Sequence, residues 1–253
     1  HSSRMLAFLI AASAFAGWID AVIGGGGLVL IPILMATTGM PAASVLATNK
    51  VAAISGTASA AVSLVRRVGV PKFTWIYALI AGIAAALGAT AVSLIDDSIA
   101  NPIIITLLIA VGIFVVVKPT FGTTGERRVS SIRIALGIAA AALIGAYDGI
   151  FGPGTGMFLI MAFTAIFTQQ FLQSAAMAKV VNTATNLGAL IVFGVGGYID
   201  WKLALILAVA NVIGAQIGTR TVLKGGSKLV RVALLILVVV LCVKLLKDQG
   251  AIG

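Results

Sequence analysis

The chain has 253 residues, 60% of them hydrophobic and 9% charged, with a mean hydropathy of +1.17. A soluble domain is nearer half apolar and a quarter charged, so this balance excludes one and points to an all-α polytopic integral membrane protein. The net charge of +10 sits mostly in short loops between apolar runs, where basic residues orient helices; with no aromatic-interleaved basic stripe, no nucleic-acid partner is expected.

The first apolar stretch runs from Met5 to about Thr38 and is interrupted at Gly24 to Gly27. Three further stretches follow, from about Ala42 to Val65, Thr74 to Ile95 and Ile99 to Val117. A polar link then runs from Lys118 to Arg133. The pattern starts again with an interrupted stretch from Ile134 to about Thr168. It continues with Leu172 to Val195, Trp201 to Leu223 and Leu229 to Leu246. This reads as a first membrane repeat at 5–118, a cytoplasmic linker at 119–133 and a second membrane repeat at 134–248. The opening HSSR reads as a tag remnant, which leaves the chain without a working histidine, and Cys242 is its single cysteine. Zinc, haem and histidine-based catalysis are therefore not expected, nor is any cofactor.

The two halves share a motif. GWIDAVIGGGGL (Gly17 to Leu28) and GAYDGIFGPGTG (Gly145 to Gly156) align Asp20 with Asp148, Gly24 with Gly152 and Gly26 with Gly154. The match extends to Lys50 with Lys179, Trp75 with Trp201, Gly88 with Gly214 and Lys118 with Lys244. An internal duplication explains these pairs together.

A single span needs about 20 residues, and each interrupted stretch has about 34 residues. Broken backbone is tolerated at membrane depth only where it faces protein or water. Each stretch therefore reads as a helical hairpin that dips in, turns at its glycines and leaves on the side it entered. The second arm, Leu28 to Thr38, would rise about 16 Å, placing the turn near the midplane. Three further spans per half then make the halves inverted repeats. A parallel arrangement balances the basic residues equally well. It would, however, move the cluster Arg220, Lys224, Lys228 and Arg231 to the outer side, against the positive-inside tendency.

Four ionisable residues fall at membrane depth: Asp20, Lys50, Asp148 and Lys179. Such residues are functional candidates by default. For Lys50 and Lys179 two readings stand: contact with a bound anion, or structural pairing, one ion pair within each half. Asp20 and Asp148 could pair with a lysine, accept backbone N–H bonds, or couple protons. Gly24, Gly25, Gly26 and Gly27 precede one half-helix starting at Leu28. Gly152, Gly154, Thr155 and Gly156 precede another starting at Met157. A helix N-terminus with bare glycines suits an oxyanion. Helix packing alone explains Gly88 or Gly214 better than it explains four glycines beside an aspartate. On the lysine helices lie Thr48, Asn49, Ser55, Thr57, Asn182, Thr183 and Asn186. Serine and threonine often bond their own helix backbone, so Asn49, Asn182 and Asn186 are the leading additional ligands.

IDAVIGGGGLVLIP (Ile19 to Pro32), LATNK (Leu46 to Lys50), YDGIFGPGTG (Tyr147 to Gly156) and AKVVNTATNLG (Ala178 to Gly188) resemble the sulfite exporter TauE/SafE family, also called the toluene sulfonate uptake permeases. The resemblance implies a multi-pass permease of the bacterial inner membrane for a small sulfur-containing anion such as sulfite, sulfoacetate or another organosulfonate. Pro153 and Thr155 stand where a fuller glycine pattern would have glycine, so the two half-sites are not expected to be equivalent. The remaining partners are the lipid bilayer and, as an open option, a second copy of the chain. Rival readings are a passive anion channel, a carrier for a small carboxylate and, remotely, an intramembrane aspartyl protease built on Asp20 and Asp148. The last lacks a GxGD context at Asp20, and no enzyme activity is expected.

Overall fold

The computed structural model describes residues 2–117 and 125–224, and beyond them only positions 236, 239, 240, 243, 246, 247 and 250. Lys118, Lys228, Arg231, Cys242, Lys244 and most of the last apolar stretch lie outside the described residues, as does the start of the linker. The described elements are all helical: α1 (Ser3–Ile23), α2 (Gly26–Thr38), α3 (Ala42–Val68), α4 (Thr74–Ser93), α5 (Asp97–Val117), α6 (Ser131–Ile150), α7 (Thr155–Phe167), α8 (Phe171–Gly196) and α9 (Trp201–Leu223). Six of them, α1, α3, α4, α6, α8 and α9, are long and apolar enough to cross a membrane. The two short helices, α2 and α7, are the second arms of the interrupted stretches.

These arms begin two residues earlier than expected, at Gly26 and Thr155. The physical reason is local. Each carboxylate four residues before the glycines folds back onto the new helix start. The Gly26 N–H donates to Asp20 Oδ1 at 3.4 Å, and the Thr155 hydroxyl donates to Asp148 Oδ1 at 2.8 Å. Negative charge at a helix N-terminus is favourable, so the helix extends over residues that would otherwise fray.

Small residues set the packing. Without a hydrophobic drive between membrane helices, close backbone approach supplies the contact. Gly145 and Gly149 of α6 lie against Ala81 and Ala85 of α4, and Gly137 lies under the Tyr77 ring. Gly214 and Gly218 of α9 lie against Ala14 and Trp18 of α1. Gly88 likewise backs onto Ala146. Outward, apolar side chains such as Leu79, Ile83, Leu87, Val209 and Ile213 stay more than half exposed, as a lipid-facing surface requires.

Partners that rise together in number fix helix directions. α6 runs parallel to α4, with the Tyr77 hydroxyl on the Ile134 carbonyl at 2.8 Å. α9 runs parallel to α1, through Ser13 on the Leu207 carbonyl at 2.6 Å and Trp18 on Thr221 at 3.1 Å. α9 also follows α3, with Gly56 against Asn211 and Gln216 donating to Ser59. α8 follows α4, with Gly82 against Ala184 and the Tyr198 hydroxyl on the Ser93 carbonyl at 3.3 Å. The Ala42 N–H donates to Asp97 Oδ1 at 2.9 Å, so α3 starts where α4 ends. α3 and α4 are thus antiparallel. It follows that α1, α3 and α9 run one way and α4, α6 and α8 the other. Among the described residues, three helix pairs aligned by the sequence match (α1 with α6, α3 with α8, α4 with α9) run in opposite directions.

The same directions gather charge. Arg66, Arg67, Lys72, Arg127, Arg128, Arg133, Arg220 and Lys224 lie at one end of the bundle; Asp96, Asp97 and Asp200 lie at the other, with Arg4 and Lys202. At the basic end Arg127 Nε donates to Gln169 at 2.6 Å, and the Arg133 guanidinium donates to the Ile166 carbonyl at 2.5 Å. Both cations sit at the C-terminus of α7, where they offset its dipole.

Candidate functional site

Lys50 and Lys179 are each the ninth residue of their helices, α3 and α8. Because these helices cross antiparallel at the centre, that equal depth places both lysines close to the meeting line of the halves. The two glycine turns arrive at the same place. Gly24 ends α1 with φ 82°, and its N–H donates to the Asp20 carbonyl at 2.8 Å. Its counterpart Gly152 has φ 92°. Both values are in the left-handed region, which glycine reaches without steric cost. The turns touch backbone to backbone: a Cβ on Gly156 would stand 2.6 Å from Gly24 Cα. Tyr147 pins the second turn from outside, its hydroxyl on the Pro153 carbonyl at 2.6 Å.

The ion pairs form between the halves, not within them. Lys50 of the first half pairs with Asp148 of the second at 2.6 Å, and their side chains are 3% and 2% exposed. Lys179 of the second half lies 3.9 Å from Asp20 Oδ2 and also donates to the Asp20 carbonyl. This corrects the expectation of one pair per half. The reason lies in the packing: α1 is held on α9 and α6 on α4, so each aspartate is delivered to the lysine helix of the opposite half.

Around these pairs lies a polar cavity of about 20 Å³, lined by Asp20, Gly24, Gly27, Asn49, Lys50, Ala53, Asp148, Gly152, Thr155, Gly156, Asn182 and Asn186. Most of the residues expected at the site meet here. Gly25, Gly26 and Gly154 do not line it; they form the starts of α2 and α7. Lys179 does not line it either, being held beneath Asp20 at 1% exposure. Thr57, ranked behind the asparagines from sequence, donates to Asp20 Oδ2 at 2.9 Å. Its signal was available, since Thr57 aligns with Asn186 at the Lys50-to-Lys179 offset. Ser55 and Thr183 behave as membrane-helix hydroxyls usually do, bonding Val51 and Lys179 carbonyls of their own helices at 3.0 and 2.7 Å.

The cavity holds about one water-sized group, so this is a closed conformation, and a larger ligand requires the two turns to part. The four charges sum to zero, and the N-termini of α2 and α7 add positive potential from opposite directions. The larger hollows are of another kind. Grooves of about 450 Å³ between α4 and α8, and about 400 Å³ between α1 and α9, are lined almost wholly by apolar side chains on the outer surface.

Comparison with known proteins agrees with this architecture. The family described as Sulfite exporter TauE/SafE matches residues 9–245. "Probable membrane transporter protein ORF9" of Sinorhizobium sp is 35% identical over 247 residues, covering 97% of this chain and 94% of that protein. A "Probable membrane transporter protein" of Haemophilus influenzae is 33% identical, covering 97% and 96%. "Probable membrane transporter protein YfcA" of Escherichia coli K12 is 34% identical, covering 98% and 92%. No solved structure matches the chain.

Proposed function

Starting from the fact that this chain belongs to the sulfite exporter TauE/SafE family, and is a multi-pass membrane transporter of the bacterial inner membrane, we propose that it is a secondary carrier for a small sulfur-containing anion. Sulfite, sulfoacetate and other organosulfonates are the candidate substrates. The observation that carries the reading is a closed polar cavity at the meeting line of the halves, walled by both glycine turns and both lysine helices. The anion contacts proposed are Lys50, Asn49, Asn182 and Asn186 with the turn residues Gly24, Gly27, Gly152, Thr155 and Gly156. Lys179 acts with Asp20 behind them. Bare backbone at two half-helix starts suits a tetrahedral oxyanion.

The repeats are proposed to be inverted. Support comes from the opposite directions of matched helices and from the basic end, which the positive-inside tendency assigns to the cytoplasm. Inverted repeats meeting at a midplane site are a common carrier plan, in which one repeat rocks against the other. A closed cavity of one-water size favours a carrier over an open channel. The test is a thermal-shift panel on detergent-solubilised protein with sulfite, sulfoacetate, taurine, sulfate, acetate and chloride. A ligand in excess stabilises the folded state by RT ln(1 + [L]/Kd). Selective stabilisation by sulfur oxyanions is expected. Stabilisation by acetate alone would move the substrate to carboxylates, and no shift with any anion would overturn the assignment.

A further inference from the structure

The two half-sites are finished differently. In the first half both carboxylate oxygens of Asp20 are occupied, Oδ1 by the Gly26 N–H and Oδ2 by the Thr57 hydroxyl. In the second half Asn186 stands in the place of Thr57. There Asp148 Oδ1 takes both Lys50 and Thr155, while Asp148 Oδ2 has no hydrogen-bond partner and neither does Asn186 Nδ2. Both residues are 2% exposed, and both line the same cavity. An orphaned buried donor or acceptor carries its full desolvation penalty, and native structures leave few of them. Here the donor and the acceptor belong to residues that line one cavity with room for about a single oxygen. The group that satisfies both accepts from Asn186 and donates to Asp148, which a hydroxyl does, as does the water it would displace, and a bare oxyanion oxygen does not.

The surroundings agree. Facing Asp148 are Lys50 from α3, Thr155 from α7, Asn182 and Asn186 from α8, and Asp20 from α1; Tyr147 on its own helix turns away to Pro153. The titratable charges at the site already cancel. The cost of burying an ion rises with the square of its charge, so this site favours a monoanion over a dianion.

We propose that Asp148 Oδ2 and Asn186 Nδ2 form the seat for an acidic O–H of the substrate. The carrier then takes a monoprotonated oxyanion, while Thr57 and Lys179 hold Asp20, on the opposite wall of the same cavity, with both of its oxygens already occupied. The proposal rests on the anion-transport reading above and narrows its substrate to one protonation state.

The test is calorimetric titration of the purified full chain, in one buffer, with hydrogensulfite and with methanesulfonate. The two have similar size and equal charge, but methanesulfonate has no acidic hydrogen. Hydrogensulfite is expected to bind at least about tenfold more tightly. Asn186→Thr copies the first half and gives Asp148 an internal hydroxyl. It is expected to erase that preference, with thermal unfolding used to show the variant folds; Asn186→Ala is the second variant. Equal affinity of the wild type for both anions would overturn the O–H seat while leaving sulfur-anion transport standing. Retention of the hydrogensulfite preference in a folded Asn186→Thr protein would overturn it as well. Failure of both anions to bind would overturn the transport reading and this proposal together. Should neither variant fold, the wild-type comparison alone decides.

Discussion

Removing Lys50 should hurt more than removing Lys50 and Asp148 together. The pair is 2.6 Å apart and almost fully buried. At an effective dielectric of about 20, its gross attraction is about 6 kcal/mol. Against this stands an effective desolvation cost of several kcal/mol for each ion. The net contribution of the intact pair is therefore small. Lys50→Met leaves Asp148 charged, buried and supported only by Thr155, a situation that costs about 3–5 kcal/mol. Asp148→Leu strands the lysine in the same way. The double variant, Lys50→Met with Asp148→Leu, leaves no uncompensated charge and should fall within about 2 kcal/mol of wild type. Reversible SDS titration in mixed micelles measures all three, and the cycle yields a coupling energy of at least about 2 kcal/mol. Additive losses, with the double variant as unstable as the two singles summed, would refute the pairing. Transport should be lost in all three variants, because Lys50 and Asp148 both line the cavity.

Other outcomes follow from the same geometry. Gly24→Ala forces a side chain into a left-handed turn against Gly156 and should cost more than the roughly 1–2 kcal/mol of backbone strain alone; Gly39→Ala, with φ 66° but open space around it, should cost only that strain and keep transport. Thr57→Val removes a hydrogen bond to a buried carboxylate and should destabilise by about 1.5–3 kcal/mol in the same titration. In a Cys242→Ser background, a membrane-impermeant thiol reagent should label Asp96→Cys from the periplasm and Glu126→Cys and Lys224→Cys only from the cytoplasm. Periplasmic labelling at Lys224→Cys would sink the inverted arrangement.

Much of this was legible in the sequence because membrane burial is strict about polar atoms. The interrupted stretches, the depth of Lys50 and Lys179 and the glycine turns all follow from counting residues against a bilayer. α9 was read to the residue, since Asp200 caps it and Lys224 stops it. The partners of the charges were not legible. Asp20 lies nearer in sequence to Lys50 than to Lys179, and only the seating of α1 on α9 decides between them. The early starts of α2 and α7 were hidden for a related reason. Glycine reads as a breaker until a carboxylate is known to stand over it.

Pairing across the halves also has a consequence for how the chain is made. Lys50 and Asp148 are 98 residues apart, and a ribosome adding about 5–20 residues each second needs roughly 5–20 s to cover that distance. For that interval the nascent first half holds a cation in the bilayer with its eventual counterion not yet synthesised. Asp20 waits still longer, for Lys179. Early inserted helices must stay loosely associated or sheltered by the insertion machinery. Quality control that detects unpaired charge in the membrane would read any chain stalled before Asp148 as unfinished.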